Sequence, residues 1–219
     1  AHVSLFSGSN NPMDLTRRVG YATILGYTEE ELRENFSEYI DEVAHNFNVS
    51  REELLEEVKL NYDGFRFVSQ CESVYNPVSV GNFFIKGKFD NYWISTGTPR
   101  FLLNMVKDNP FAMNDITKEW VPDVENNKYD LSCLDLRTVA FQAGYLAIVE
   151  WRKLSKFTWA VRYDFPNKEI RDCWYQNILT LKPNTEGLLM PLLVSLPDDL
   201  NDQNVDAFME KVCNFFSGI

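Results

Sequence analysis

The segment TEEELRENFSEYIDEVAHNFNVSREELLEEVKLNY, residues 28–62, carries a strong helical pattern and predicts two helices. A capping box begins at Thr28, and apolar residues then recur at helical spacing over about Glu29–Asn46. A second capping box begins at Ser50, after a polar break. The segment therefore predicts a helical hairpin, and its acidic runs are typical of helix N-termini and solvated faces.

Signals that follow this hairpin extend the helical pattern. Gly64, after an aspartate, predicts a turn that ends the second helix. Asn76 and Thr98 each precede a proline, and each pair predicts the capped start of a short helix. Between the turn and Asn76, the phrases FRFV and SVY predict a short ribbon of two strands.

The second half of the chain predicts helices around a β-hairpin. The pattern weakens over 109–129, which predicts a linker. A helix follows over about Asp135–Ala143, then two strands around the turn LSK, then another helix after Asn167. This order is that of winged-helix-like modules, although the strands could instead extend a neighbouring sheet. A last amphipathic helix over 205–216 has an apolar face that needs a partner.

These elements predict an α+β fold that is mostly helical. We expect a helical subdomain at 21–108, a linker at 109–129, and a winged-helix-like subdomain with a β-hairpin at 130–181. Residues 1–20 form an opening segment, and 182–219 form a second linker with the last helix.

Charge and hydropathy narrow the classes of function. The 219 residues are 45% hydrophobic, enough for a core, and the net charge is −11 with an isoelectric point near 4.7. Because this charge repels polyphosphates, the chain as a whole is a poor electrostatic binder of nucleic acid. No apolar run approaches the ~20 residues that span a bilayer, and no leader is evident. We therefore expect a cytoplasmic protein without a membrane partner.

Residues with catalytic chemistry are sparse. The four cysteines are widely spaced and form no CxxC pair, so they predict neither a zinc site nor a disulfide scaffold. The two histidines, His2 and His45, have no plausible nucleophile beside them. No GxxxxGK[ST] loop occurs, and Glu57–Lys59 has nuclease-motif letters but lies on a predicted helix. We predict no catalytic residue and no metal site in this chain.

Seven phrases carry a family resemblance: VSLFSGSNN, YATILGYTEEEL, NYDGFRF, VYNPVSV, NYWISTGTP, FQAGYL and FPNKEIR. Their order is similar to that of the AAA-ATPase-like proteins of gut Bacteroidetes and clostridia, and they span nearly the whole chain. Members of that family look like proteins with a P-loop ATPase core, followed by a helical lid, a winged-helix-like segment and often a C-terminal nuclease-like domain. The resemblance implies that this chain begins after the core and ends in the helix that leads to the nuclease-like domain.

The resemblance also implies a function and a set of site residues. The chain would be a non-catalytic accessory region that couples nucleotide state to the C-terminal domain, with ATP and Mg²⁺ bound only by the parent protein. Arg66 and Arg100 would be the lid cations that reach the nucleotide. The signature residues are expected to be structural, as caps, turn residues and packed aromatics: Tyr62, Gly64, Tyr75, Asn76, Pro77, Trp93, Gly97 and Pro99.

The implied partners are the protein's own ATPase core and C-terminal domain. Two other functions stay open: a nucleic-acid-binding module working through the hairpin, and an interaction scaffold that self-associates through the last helix. The predicted wing offers Arg152, Lys153 and Lys156, but the helix after it carries as many acids as bases. We therefore expect nucleic acid to be a poor partner for this segment.

Overall fold

The described part of the protein divides into two compact units between Trp174 and Tyr175. The computed structural model describes residues 15, 17–93, 100–107, 112–123, 135–180, 197, 200–202 and 204–217. Among the predicted features, 1–14, Gly97, Pro99 and the start of the second linker at 182–187 lie outside the described residues.

The predicted first helix of the hairpin is two helices, α1 (Glu29–Asn35) and α2 (Ser37–Phe47). The prediction of one continuous helix is wrong at Phe36, whose φ of −110° and ψ of 15° leave the α-helical range. The Phe36 ring stacks on Phe84 with centroids 5.2 Å apart and meets Tyr27 edge-on at 5.3 Å. The break therefore coincides with the packing of this ring, and helical periodicity does not reveal it.

Both predicted capping boxes are confirmed. Thr28 and Ser50 each accept a hydrogen bond from the backbone three residues later, and the glutamate there accepts one from the cap's own N–H. The second box begins α3 (Arg51–Tyr62), which packs against α2. Asn48, with a left-handed φ of 56°, ends α2 and lets the chain turn. These elements form the predicted helical hairpin.

The core of this region is completed by α4 (Pro77–Lys86), which begins at the predicted Asn76 cap. The Asn76 side chain accepts hydrogen bonds from the backbone N–H groups of Val78 at 2.8 Å and Ser79 at 3.2 Å. One cluster of buried side chains joins these helices: Leu32, Ile40, Val43, Ala44, Leu54, Leu55, Val58, Tyr62, Tyr75, Val80, Phe83, Phe84 and Tyr92.

Replacing Asn76 by Ala is expected to lower the free energy of unfolding by about 1 kcal/mol. The reason is that two backbone donors at the start of α4 lose their cap. Asn82→Ala is the matched control, because the Asn82 side chain donates to the Val78 carbonyl within the helix and Ala is the better helix former. Urea unfolding followed by circular dichroism measures both. Equal stability of the two variants would contradict the role of the cap.

Two isolated antiparallel bridges lie beside α3 and α4. Tyr27 pairs with Tyr75, and Phe65 pairs with Val74. The second bridge lies within the ribbon that FRFV and SVY predict, and it is shorter than a regular strand pair.

A three-stranded antiparallel sheet of order β1-β3-β2 lies in the first unit. The predicted hairpin is confirmed as β2 (Ala147–Lys153) and β3 (Trp159–Asp164), with Lys153 opposite Trp159. The third strand, β1 (Trp120–Pro122), pairs with the other edge of β3.

Residues within the predicted linker at 109–129 have regular structure. They form α6 (Ala112–Lys118), which packs against β3 and buries Met113, and they form β1. A three-residue strand is too short to show alternation, and its partner lies far along the chain, so no local pattern predicts it. Residues 112–122 are therefore structural parts of the first unit, in contrast to the predicted linker.

The other helices with defined bounds are α5 (Arg100–Met105), α7 (Leu136–Gln142), α8 (Lys168–Thr180) and α9 (Val205–Ser217). The helices predicted on either side of the hairpin are confirmed as α7 and α8. The predicted last helix is α9, which lies in the second unit.

The described elements confirm an α+β fold that is mostly helical. The winged-helix-like arrangement of α7, the hairpin and α8 stays a prediction. Among the described helices, none combines the length and the apolar character that crossing a bilayer requires.

Candidate functional site

Several signature phrases meet at a buried polar junction in the first unit. Hydrogen bonds join segments that are 76, 90 and 104 residues apart in the chain. We call this set of residues the α8 junction: Asp63, Ser79, Trp93, Asn167 and Glu169. It fastens the turn after α3, the start of α4 and the segment after α4 to the beginning of α8.

Glu169, at the centre of the α8 junction, is only 1% exposed. Its Oε2 accepts a hydrogen bond from the Ser79 hydroxyl at 2.8 Å, and its Oε1 accepts one from the Trp93 backbone N–H at 2.8 Å. Burial raises the pKa of Glu169, although hydrogen bonds from Ser79, Trp93 and the Tyr92 backbone act in the opposite direction. Solvent barely reaches this carboxyl group, and its hydrogen bonds hold α4 and the segment after α4 to the start of α8.

Asn167 connects the start of α8 to the turn after α3 within the α8 junction. Its Nδ2 donates to the Asp63 carbonyl at 2.7 Å, and its Oδ1 accepts from the Ile170 N–H at 3.0 Å. Gly64 has a φ of +97°, and a Cβ placed on it would lie 1.9 Å from the Pro166 carbonyl oxygen. The turn predicted at Gly64 is confirmed, and the approach of Pro166 adds a second reason for glycine there.

The Asp63 side chain is a second buried carboxyl group beside the junction. Its Oδ2 accepts from the Ser73 hydroxyl at 3.0 Å, whereas its Oδ1 has no hydrogen-bond partner among the described residues. Burial raises the pKa of Asp63, against the hydrogen bonds from the Gly64 backbone and Ser73. Burial therefore disfavours the charged form of this carboxyl group.

Tyr75 belongs to a charged network that fastens α1 to α3. Its hydroxyl donates to Glu29 Oε2 at 2.5 Å, and Glu29 Oε1 accepts from Arg33 Nε at 2.7 Å. Arg33 also donates to both carboxylate oxygens of Glu52, at 3.0 and 2.9 Å. Burial raises the pKa of Glu29, but Tyr75, Arg33 and Lys59 outweigh it and the net pKa is lowered.

Tyr62 is buried and Trp93 is half-buried, and both rings contact other aromatic residues. The Tyr62 hydroxyl donates to the Asp90 carbonyl and accepts from the Asp90 N–H, both at 3.1 Å. Trp93 stacks on Phe65 with centroids 5.7 Å apart and meets Tyr145 edge-on at 6.2 Å. The contacts of these aromatics are of the kind expected for packed residues, and the structural role of the signature residues stays a prediction.

The two predicted lid cations lie in different surroundings. Arg66 Nη1 donates to the Ile148 carbonyl at 3.3 Å, and the guanidinium lies 5.0 Å from the centre of the Trp151 ring. Arg66 Nε is buried and has no hydrogen-bond partner among the described residues. Arg100 begins α5, and its side chain is exposed. The contacts among the described residues do not bring the two arginines into one site, and their role toward a nucleotide stays a prediction.

A polar cleft of about 170 Å³ was missed by sequence reasoning. Arg17 Nη1 lies 2.7 Å from Asp123 Oδ1, and Nη2 donates to the Tyr163 hydroxyl at 2.8 Å. Ser69 donates to Asp123 Oδ2 at 3.1 Å. Asp123 already offsets the charge of Arg17, so the cleft is poorly suited to bind a free anion. The contacts with Asp123 and Tyr163 instead attach Arg17 to the sheet. Arg17 and Asp123 are 106 residues apart, and only paired substitutions among relatives could have linked them.

A second cleft, of about 330 Å³, is lined by four apolar residues and three glutamates: Phe47, Val49, Glu53, Leu54, Glu56, Glu57 and Phe89. The three glutamates disfavour phosphate ligands. Among the residues that the structure describes, no group of three His, Cys, Asp or Glu side chains could hold a metal ion.

Sequence similarity links this chain to a longer protein. A protein from Azotobacter chroococcum mcd 1, named as an uncharacterized protein in the vnfD 5' region, is 28% identical over 169 residues. The match covers 77% of this chain and 30% of the relative. No protein-family model matches the chain, and no solved structure matches it.

Proposed function

We propose that this chain is the accessory region, a helical lid plus a winged-helix-like module, of a cytoplasmic P-loop AAA-type ATPase. Within the larger protein it passes changes of nucleotide state from the ATPase core to a C-terminal nuclease-like domain. ATP and Mg²⁺ bind to the core, and the core and the C-terminal domain are the main partners of this region. The accessory region itself is not catalytic.

The α8 junction is the observation that supports this proposal. It connects the phrases NYDGFRF, VYNPVSV and NYWISTGTP to FPNKEIR at the start of α8. Four phrases that resemble one family in their order along the sequence are therefore also in contact. A buried polar junction of this kind favours a single arrangement, because each buried polar group needs its partner.

A region that transmits movement between two domains must itself be firmly connected. Lid closure over a nucleotide is a movement of a body about hinge residues. Shear between α4 and α8 would break the hydrogen bonds of Glu169 while the carboxyl group stays buried, and this is costly. Movement of the helical region is therefore carried into α8 rather than absorbed between them.

In the parent ATPase, Arg100→Ala is expected to lower kcat for ATP hydrolysis roughly 100-fold. The physical reason is that the exposed guanidinium at the start of α5 stabilises the charge that develops on the γ-phosphate. Phosphate release at saturating ATP measures kcat. Arg171→Ala is the matched control, because Arg171 is also an exposed cation, on α8. The kcat of this variant should equal that of the unmodified protein.

The purified 219-residue chain tests the non-catalytic part of the proposal directly. It should release no phosphate from ATP above the buffer rate. Turnover by this chain alone would overturn the proposal, as would a parent protein that neither binds nor hydrolyses ATP. An equal loss of kcat in the two arginine variants would contradict the proposed role of Arg100. It would not contradict the proposed accessory function.

A further inference from the structure

The outer end of the β2–β3 hairpin, residues 151–159, is a firm and exposed turn that we call the hairpin tip. The backbone N–H groups of Leu154 and Ser155 both donate to the Thr158 carbonyl, at 2.9 and 3.1 Å. The hydroxyls of Ser155 and Thr158 are 2.5 Å apart. This closed turn presents Phe157, which is 83% exposed. Its ring is therefore held in solvent by a defined backbone.

The hairpin tip is locally cationic within an acidic chain. Its sequence, WRKLSKFTW, contains Arg152, Lys153 and Lys156 and no acidic residue, whereas the whole chain has a net charge of −11. Within the described ranges, none of the ion pairs involves these three cations. Their charge is therefore available to an acidic partner.

Aromatic rings are interleaved with these charges. Trp151, which is 38% exposed, has the Arg66 guanidinium 5.0 Å from its ring centre. The three tip cations lie 4.3, 6.0 and 5.2 Å from ring centres in the pairs Arg152–Trp120, Lys153–Trp159 and Lys156–Phe157. In the register of the sheet, Trp151 and Lys153 lie on one face, whereas Arg152 and Trp120 lie on the other. Positive groups and flat π-faces therefore occur together on the face of Trp151 and Lys153.

We propose that the hairpin tip binds single-stranded nucleic acid. Phosphates pair with Lys153 and Lys156, while unpaired bases stack on Phe157 and on Trp151, which lies on the same face of the sheet as Lys153. A single strand offers phosphates and open base faces along one backbone, and proteins that bind single strands use this pairing of charge and stacking. This inference is separate from the proposed function, because it requires no nucleotide hydrolysis. It differs from the sequence-based expectation of a poor nucleic-acid partner, because that expectation considered the charge of the helix after the hairpin and not the exposed Phe157 ring at the tip.

Other acidic partners use only part of this surface. An acidic peptide would pair with the cations but brings no row of flat rings to stack on Phe157. In a duplex the base faces are covered by their neighbours, so the exposed rings would have no partner. Only the single strand uses both kinds of group at the hairpin tip.

The rest of the chain limits the strength of the interaction. A net charge of −11 repels a polyanion, and the Debye length of about 10 Å at 0.1 M salt confines attraction to the tip itself. We therefore expect binding that depends little on base sequence and weakens as salt is added.

Fluorescence anisotropy of a labelled oligothymidylate of about 20 nucleotides, titrated with the full chain at several salt concentrations, tests the proposal. Phe157→Ala is expected to raise Kd roughly 5-fold or more and to leave the salt dependence unchanged, because it removes stacking alone. Lys156→Gln is expected to raise Kd and to reduce the slope of log K against log salt by about 0.7, because one phosphate contact is lost.

Matched controls lie on and just after α4, outside the sheet. Ile85, 82% exposed, is the apolar control as Ile85→Ala, and Lys88→Gln is the charge control. Both should bind as the unmodified chain does. The proposal fails if both tip variants bind normally, or if a duplex binds as tightly as the single strand. It also fails if polyglutamate displaces the oligonucleotide at equal charge concentration, since the tip would then be an acidic-peptide site.

Discussion

Gly64→Ala is expected to lower the free energy of unfolding by about 4 kcal/mol. The Gly64 backbone has a φ of +97°, a conformation that strains any residue with a Cβ. The added Cβ would also lie 1.9 Å from the Pro166 carbonyl oxygen. Since that oxygen belongs to the backbone, no side-chain rotation relieves the overlap, and the two segments must move apart.

Separation of the two segments would disturb the α8 junction directly. The bond from Asn167 Nδ2 to the Asp63 carbonyl, 2.7 Å long, joins the residues that flank Gly64 and Pro166. Asn167 is also buried and caps α8 through the Ile170 N–H. A shift at Gly64 therefore affects the start of α8 as well as the turn.

Urea unfolding of Gly64→Ala beside Gly87→Ala separates the overlap from the backbone strain. Gly87 also has a positive φ, of +57°, but a Cβ there would meet no atom of the described residues within 4 Å. Gly87→Ala should therefore cost only about 1 kcal/mol. If the two alanine variants proved equally stable, the contact between Gly64 and Pro166 would have no energetic importance.

Local signals in the sequence predicted the helical region well. The caps at Thr28, Ser50 and Asn76 and the turn at Gly64 depend on residues within a few positions of one another. Such local chemistry can be recognised in a single sequence. The β2–β3 hairpin was predicted for the same reason, because its strands are neighbours in the chain.

Features that depend on distant residues were not predictable in this way. The break at Phe36 occurs where its ring packs on the distant Phe84, and the short strand β1 pairs with the distant β3. In the sequence, Glu169 looks like an ordinary acidic residue in the first turn of a helix. In the structure, it is buried and bonded to Ser79. Nothing local to Glu169 distinguishes it from a solvated residue.

Glu169→Ala is expected to lower the free energy of unfolding by about 3 kcal/mol. The substitution removes the acceptor for the Ser79 hydroxyl and the Trp93 N–H and leaves a space at the start of α8. Glu34→Ala, the same exchange at an exposed position of α1, is the matched control and should change stability little.

Glu169→Gln tests the buried charge with the shape of the side chain preserved. Its amide oxygen can still accept from the Trp93 N–H, and its NH₂ can donate to the Ser79 oxygen. The pKa of Glu169 in the folded protein is raised above its ordinary value of 4.5. Between these two pKa values the folded state binds more protons than the unfolded state, so the contribution of Glu169 to stability falls as pH rises.

The sign of this effect gives a measurement that separates charge from packing. At pH below 4.5, the unmodified protein and Glu169→Gln should differ least, because Glu169 is then protonated in both folded and unfolded states. As pH rises from there, urea unfolding should show the stability of the Gln variant increasing relative to the unmodified protein. Glu169→Ala should stay less stable than Glu169→Gln at every pH, because the Ala variant loses the hydrogen bonds themselves.

A difference between the Gln variant and the unmodified protein that does not change with pH would mean that burial does not raise the pKa of Glu169. The carboxylate would then be fully stabilised by its three hydrogen bonds, and the junction would tolerate its charge without cost.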